Sequence, residues 1–357
     1  MDWTRGGRTD SFRYVRVAWP SFEELGELPW VTSCTVEEND LAELKVTGTL
    51  SYAGDMAGLG DDMVRVYSTS ELGGESETVC HATLLASATS SRRSPQAVSV
   101  RASLYSVLKV LQDEVLDDAL TVAQGSDPVE WCARACRARS LPVSAVVPSG
   151  VELSEAASFD PGTSVLSVVN ALLDAAGYGS AGVSTYGEVT MAPYEDPQHR
   201  AVRCTVSESD AGSAIVDAGY SQDLDRSGVY NVVTVEGTDG DGEAIRATAR
   251  NDSPSSLWST VTRGRTVSRH ETVAEPTTAE ALERKARLML SEATTRADRV
   301  TFSHFWADFE LGDAILVDFP GSGVSDRYTA VKRTCRMVPG MRCETVARRF
   351  VDLEVEG

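Results

Sequence analysis

The sequence predicts an α+β fold, predominantly β: two antiparallel β-barrel-like domains with a small α/β module carrying a duplicated helix-strand unit. Three observations predict it. Apolar and polar residues alternate over both ends of the chain between turn-forming clusters. The period becomes helical near residue 106. The stretch from about 120 to 195 matches itself when shifted by 37 positions.

From Phe12 to about Val100 the strand-like segments are FRYVRVAW, WVTSCTV, LKVTGTLSY, MVRVYSTS, VCHATLLASATS and AVSVRASL. Turn-rich pieces, SYAGDMAGLGDD and ELGGESE, separate them as hairpins require. SVLKVLQDEVL (106–116) then sets Val107, Val110, Leu111 and Val115 at helical spacing, closing an N-terminal antiparallel β domain at 1–117.

Residues 118–197 form the α/β module. Under the 37-residue shift Gly125-Ser126-Asp127 falls on Gly162-Thr163-Ser164, and Val129, Trp131, Cys132, Ala135, Cys136 and Leu141 fall on Leu166, Val168, Val169, Leu172, Leu173 and Tyr178. Each copy opens with residues that cap a helix N-terminus, with Pro128 suited to the first turn. Each continues with one apolar face, and the second helix stops at Gly177. Extended text follows each helix.

The strand period returns over 198–357, a second β-barrel-like domain: YNVVTVEG and AIRATAR around TDGDGE, then RVTFSHFWA, AILVDF, RYTAVKRTCRMV and VDLEVE. One helix, about 277–296, interrupts. Thr277 with Glu280 reads as its capping box, and Leu282, Ala286, Met289 and Ala293 as its buried stripe.

Composition narrows the function. The chain has 357 residues, 42% hydrophobic and 24% charged, enough for sizeable cores. Its formal charge of -20 opposes gripping nucleic-acid backbones, which takes Lys and Arg to displace counterions. The start lacks the apolar core of a secretory signal, and no stretch of about 18 apolar residues offers a membrane span. A soluble protein made in the cytoplasm is expected. Its seven cysteines, Cys34, Cys80, Cys132, Cys136, Cys204, Cys335 and Cys343, are odd in number and irregularly spaced, so reduced thiols are expected.

Each enzyme-like motif has a structural reading. GYGSAG, Gly177 to Gly182, satisfies G-x-G-x-x-G, but the order is helix then strand, the reverse of a dinucleotide site, which favours a C-cap and turn. DGDGE, Asp239 to Glu243, starts like a calcium loop, yet Ala244 and Arg250 stand where Gly and a bidentate Glu belong, which favours a hairpin turn. Cys132 and Cys136 share a helix face without the further ligands zinc requires, so small buried residues are expected. Arg134, Arg137 and Arg139 read as a solvated face, or as a contact with an acidic neighbour. His81, His199, His270 and His304 show no metal or triad spacing. His304, near Asp308 and Asp313, could be prepared for acid-base work, though its strand context favours packing. In FELGDAILVDF (309–319), Gly312-Asp313 precedes the alternating Ile315, Val317 and Phe319, so Asp313 reads as a turn residue at the mouth of a core strand.

The succession SVLKVLQ, GSDPVEWCARACRARSLP, PGTSVLSVVNALLDAAGY, YGEVTMAPY, VYNVVTVEG, a Thr-capped helix near 277 and ELGDAILV resembles the tail-hub or baseplate-hub proteins of bacteriophages and prophages over roughly residues 100–330. The resemblance implies a structural virion protein, assembled in the bacterial host cytoplasm. Three copies would form a ring at the end of the tail tube, connecting it to distal-tail or baseplate proteins and to a spike or fibre. DNA would pass as non-adhering cargo. No enzyme activity, cofactor, catalytic residue or metal ligand is implied. Some relatives carry a fused cell-wall hydrolase; here the text runs from the last predicted strand to Gly357, and no such appendage is expected. Two other readings stay open. A carboxylate pair among the 53 acidic residues could serve a glycan-acting cell-wall hydrolase. A carbohydrate-binding β module would use tryptophans as platforms, although Trp30, Trp131, Trp258 and Trp306 are dispersed.

Overall fold

The computed structural model of the chain describes residues 7–54, 59–93, 98–144, 146, 150–194, 200–207, 215–224, 229–239, 243–254, 256, 258–273, 278–295, 298–322 and 324–349. Among these, twenty strands and five α-helices form, a predominantly β protein with large antiparallel sheets, as the alternation predicts. The chain divides into two compact units: Met1–Asp196 with His304–Leu311 and Lys332–Glu344, and Pro197–Ser303 with Gly312–Val331 and Thr345–Gly357.

In the first unit the strands are β1 (Thr9–Val17), β2 (Glu24–Glu27), β3 (Val31–Asn39), β4 (Val46–Ala53), β5 (Met63–Leu72), β6 (Glu75–Arg93) and β7 (Val98–Tyr105). They run antiparallel in the order β3-β4-β7-β6-β5-β1-β2. Beside β3 lies Lys332–Arg336, the last part of β19 (Val324–Arg336), with Cys335 opposite Val36. Successive side chains alternate between two cores. Val64 and Val66 of β5 join Leu50, Leu84 and Leu104 in one, whereas Met63 and Tyr67 turn to the other. Both faces of β5 are therefore covered, which is why MVRVY reads as a nearly continuous apolar run. β2 carries no apolar alternation that would predict a strand; all four residues are exposed on the sheet edge.

The second core of that unit joins Val15, Val17 and Met63 of the sheet to α1 (Leu108–Asp113) and to the module's β8 (Leu120–Val122), α2 (Pro128–Arg137), β9 (Ala157–Phe159), α3 (Val165–Ala175), β10 (Gly182–Val183) and β11 (Val189–Thr190). α1 buries Val107, Leu108 and Leu111, while Val115 is 49% exposed beyond its end. This corrects the expected stripe: the helix stops at Asp113, before the turn that would have carried Val115 inward.

The duplication is realised as an exchange. Asp127 accepts hydrogen bonds from the backbone N–H of Val129 and Glu130, and Ser164, 37 residues on, accepts from Ser167. The preceding loops reach into one another's copy. Gly125 N–H donates to Leu153 O (2.9 Å) and Leu153 N–H to Ser126 O (3.0 Å); Gly162 N–H donates to Leu116 O (2.7 Å) and Leu116 N–H to Thr163 O (2.9 Å). Leu116 and Leu153 are themselves 37 apart. Equivalent residues also meet directly: Thr121 faces Ser158 across β8 and β9, and the Cys132 thiol contacts Val169 O. Such reciprocity defines a local pseudo-two-fold axis through the module.

The second unit contains β12 (Val202–Ser207), β13 (Ile215–Leu224), β14 (Val232–Thr238), β15 (Ala244–Arg250), α4 (Thr260–Arg263), β16 (Ser268–Thr272), α5 (Ala279–Thr295) and β17 (Asp298–Phe305) up to Ser303, then β18 (Ala314–Phe319), the first part of β19 and the end of β20 (Arg342–Arg349). β14 pairs antiparallel with β15 and parallel with β16. α5 covers this sheet: Leu282, Ala286 and Leu290 pack on Val233, Val235, Ala247 and Ala249. Leu290 takes the fully buried place in the stripe and Met289 flanks it, half-buried. The hydroxyl of Thr278 accepts from Ala281 N–H at the start of α5. The predicted cap, Thr277, lies outside the described residues, as does VDLEVE. β18 runs antiparallel to β19 and parallel to β12.

Candidate functional site

The structure disperses the enzyme-like motifs. Gly177 sits just past α3 at φ +74°, donating to Asp174 O while Tyr178 donates to Leu173 O, so GYGSAG closes a helix and leads into β10. Asp239 and Glu243 close the β14–β15 hairpin, Asp239 N–H donating to Glu243 O and Glu243 N–H to the Asp239 carboxylate; residues 240–242 lie outside the described residues. Cys132 and Cys136 are both fully buried. Burial raises both thiols, Cys136 to about 11, so they stay protonated at neutral pH. Arg134 and Arg137 are exposed, whereas Arg139 pairs with Glu114. Both readings of that basic stretch hold, each for different residues.

Asp313 follows Gly312, whose φ is +87°. Gly312 N–H donates to Ala330 O and Ala330 N–H to Asp313 O, delivering the chain into β18, where Ala314, Ile315, Val317 and Phe319 are buried. The predicted turn into a core strand is present. His270 is exposed beside Glu236, and His199 lies outside the described residues.

His81 and His304 are buried, and both belong to a cluster in the first unit that sequence reasoning did not assemble. Its centre is Arg333, 6% exposed on β19. Its Nε donates to Glu38 Oε2 at 2.6 Å and one Nη to Phe309 O at 2.6 Å. Burial alone would make the guanidinium easier to deprotonate, but the Glu38 carboxylate outweighs it and raises the pKa above its ordinary value. A second ion pair joins Arg8 Nε to Asp10 Oδ1 at 2.8 Å. The same carboxylate accepts from Ser70 Oγ (2.6 Å) and Gly340 N–H (3.1 Å). His81 Nε2 shares a hydrogen with Ser68 Oγ at 2.7 Å, its ring edge-on to Trp306. His304 Nδ1 meets Phe305 O at 2.6 Å. Desolvation lowers both imidazoles to about 4, leaving them neutral at pH 7.

These groups are spent on one another. Glu38, Asp10, Ser68 and Ser70 come from the N-terminal strands, and Trp306, Phe309, Arg333 and Gly340 from segments returning some 300 residues later, so the cluster ties the two ends of the chain into one unit. The cavity beside Glu38 and His81, lined also by Leu84 and Thr185, has a volume of about 30 Å³. That is room for about two waters. Among the described residues no group of three His, Cys, Asp or Glu gathers as metal ligands, and no helix is long and apolar enough to cross a membrane. A second latch holds the module to the sheet. Arg65 donates to Glu24 and Thr83 and lies over the Tyr186 ring, and Thr83 donates to Thr185 O.

No periodic or spacing signal could have paired Glu38 with Arg333, because 295 residues separate them. The reciprocal contacts of Leu116 and Leu153, by contrast, lie on the register the 37-residue shift supplies.

The sheet, the duplicated module and the helix-covered second unit together make the fold of bacteriophage and prophage tail proteins. A tail protein from Neisseria meningitidis MC58 matches with a TM-score of 0.68 at 13% identity, over 96% of this chain and 97% of its own. The 43 kDa tail protein of prophage MuSo2 from Shewanella oneidensis matches with a TM-score of 0.68 at 10% identity, over 95% and 98%. A chain of the Francisella PdpA–VgrG complex matches with a TM-score of 0.60 at 9% identity, over 99% of this chain and 59% of that one. No protein-family model matches the sequence, and no curated protein does.

Proposed function

We propose that this protein is a structural component of a phage-type tail, acting by assembly at the tail tip or baseplate hub. The observation that carries the reading is the shared fold with two tail proteins across nearly the full length of both chains. In this reading copies of the chain, three by preference, close into a ring at the end of the tail tube and join it to baseplate, spike or fibre proteins. The chain serves as three functional parts, 1–117, 118–197 and 198–357, and its work is docking without turnover. The likeness to a chain of the PdpA–VgrG complex, a protein that assembles with a partner, supports docking to a second protein.

The electrostatics favour the role. A formal charge of -20 repels phosphates, so DNA traversing a ring of such subunits would slide without counterion-release adhesion. The buried ion pairs and neutral imidazoles also fit a protein whose polar interior holds shape. Light scattering of the purified chain, followed by imaging of particles from the assembling host, tests the proposal. A ring-forming oligomer located at the tail end is expected. A strict monomer that joins no tail structure, or hydrolysis of peptidoglycan that a single Asp or Glu substitution abolishes, would refute it.

A further inference from the structure

The geometry points to an intramolecular disulfide between Cys335 and Cys343, formed by exchange with a small-molecule disulfide and stapling the β19–β20 hairpin. The two sulfurs lie 2.7 Å apart, against about 2.05 Å in a formed bond, so closure needs a shift of well under 1 Å. They sit on consecutive strands either side of a tight connection, in which Met341 N–H donates to Val338 O. Both are buried, at 3% and 1% exposure, in the core that contains Met337, Met341 and Trp306. The surroundings select the pair. Cys34 lies in the same core, but its strand is engaged through Met337 N–H donating to Cys34 O, and its thiol meets no other sulfur among the described contacts. Cys132 and Cys136 are separated by a helical turn and the first points at Val169 O.

The chemistry balances. One thiol loses its proton and attacks the small disulfide, releasing one thiol of the reagent and leaving a mixed disulfide on the protein. The second cysteine, deprotonated in turn, attacks the protein-side sulfur, forms the Cys335–Cys343 bond and expels the second reagent thiol. The protein is oxidised by two electrons and the reagent reduced by two. Burial and the neighbouring Cys335 hold the Cys343 thiol well above its ordinary pKa, which slows exchange in the closed hairpin. The reagent therefore acts before the hairpin closes or while it is open, and the finished bond is shielded from reductants. The staple would fix the strands that hold Arg333 and Gly340 in the buried cluster.

The test is to fold the full chain in a glutathione redox buffer, denature it without reductant, alkylate free thiols and digest with trypsin. Cleavage after Arg333, Arg336, Arg342 and Arg348 isolates Thr334–Arg336 and Cys343–Arg348. The expected result is one covalently joined peptide pair, lighter by two hydrogens than the sum of its parts, separated by reductant. A Cys34→Ser variant is expected to give the same pair, and the oxidised protein a higher Tm than the reduced one. Recovery of the two peptides unlinked, whether alkylated or each carrying glutathione, would overturn the proposal. So would a pairing of either cysteine with Cys34. Because the reading is taken on the unmutated chain, it does not depend on a Cys335→Ser variant folding.

Discussion

Arg333 illustrates how a charge is kept inside this protein. Its guanidinium is held by a carboxylate on one side and a backbone carbonyl on the other, and both partners become uncompensated if it is removed. Glu38→Ala leaves the guanidinium buried without its counter-charge; a loss of about 3 kcal/mol is expected, read as a lowered midpoint in urea unfolding. The double variant Glu38→Leu with Arg333→Met should lose much less, because it removes both desolvated charges together. His81 and His304 add a pH dependence of definite sign. Their folded-state pKa of about 4 lies below the unfolded value of roughly 6.5, so the unfolded chain binds more protons in between. Stability is full above about pH 6.5 and falls as pH drops toward 4, by on the order of 3 kcal/mol per histidine. Unfolding midpoints measured at pH 7 and pH 5 check this, and His304→Gln should shrink the difference.

Elements here are set by their ends. Asp127 and Ser164 cap equivalent helices of the duplicated module, and each accepts backbone N–H groups that otherwise face solvent. Asp127→Ala and Ser164→Ala should each cost about 1 kcal/mol. Because the two copies hold one another through Leu116 and Leu153, the two losses should appear in one cooperative transition; separate transitions in calorimetry would show that the copies fold independently. At Gly312 a φ of +87° strains any residue with a Cβ, and a Cβ there would also push aside the adjacent Arg200 guanidinium. Gly312→Ala should destabilise β18 by more than about 1 kcal/mol, seen as faster amide exchange across Ala314–Phe319.

At the scale of the whole molecule, the N-terminal sheet incorporates a strand from the far end of the chain, with Cys335 opposite Val36. Truncation before residue 332 should therefore leave the first unit without that strand and without Arg333, Cys335 and Gly340. The truncated protein is expected to expose apolar surface, bind a hydrophobic dye and fail to assemble, measured by fluorescence and light scattering. A fragment with native near-ultraviolet circular dichroism would show that the returning strand is dispensable.

Alternation, turn residues and the 37-residue shift by themselves determined the predominance of β structure, the six apolar strands of the N-terminal sheet, both module helices with their caps, and the turn into AILVDF. These features are local or repeated, so a few consecutive residues, or one register, specify them. The exposed edge strand β2 left no period to read, and the end of α1 was decided by the extended Glu114 and the pairing of Val115 with Ser164 rather than by the stripe preceding it. The pairing of Glu38 with Arg333, the carboxylate of Asp10 closing on Gly340, and the approach of Cys335 to Cys343 were decided only by tertiary structure. Burial selects such partners from any distance along the chain, because a desolvated charge or polar group is stable only where the fold brings its complement within hydrogen-bond reach.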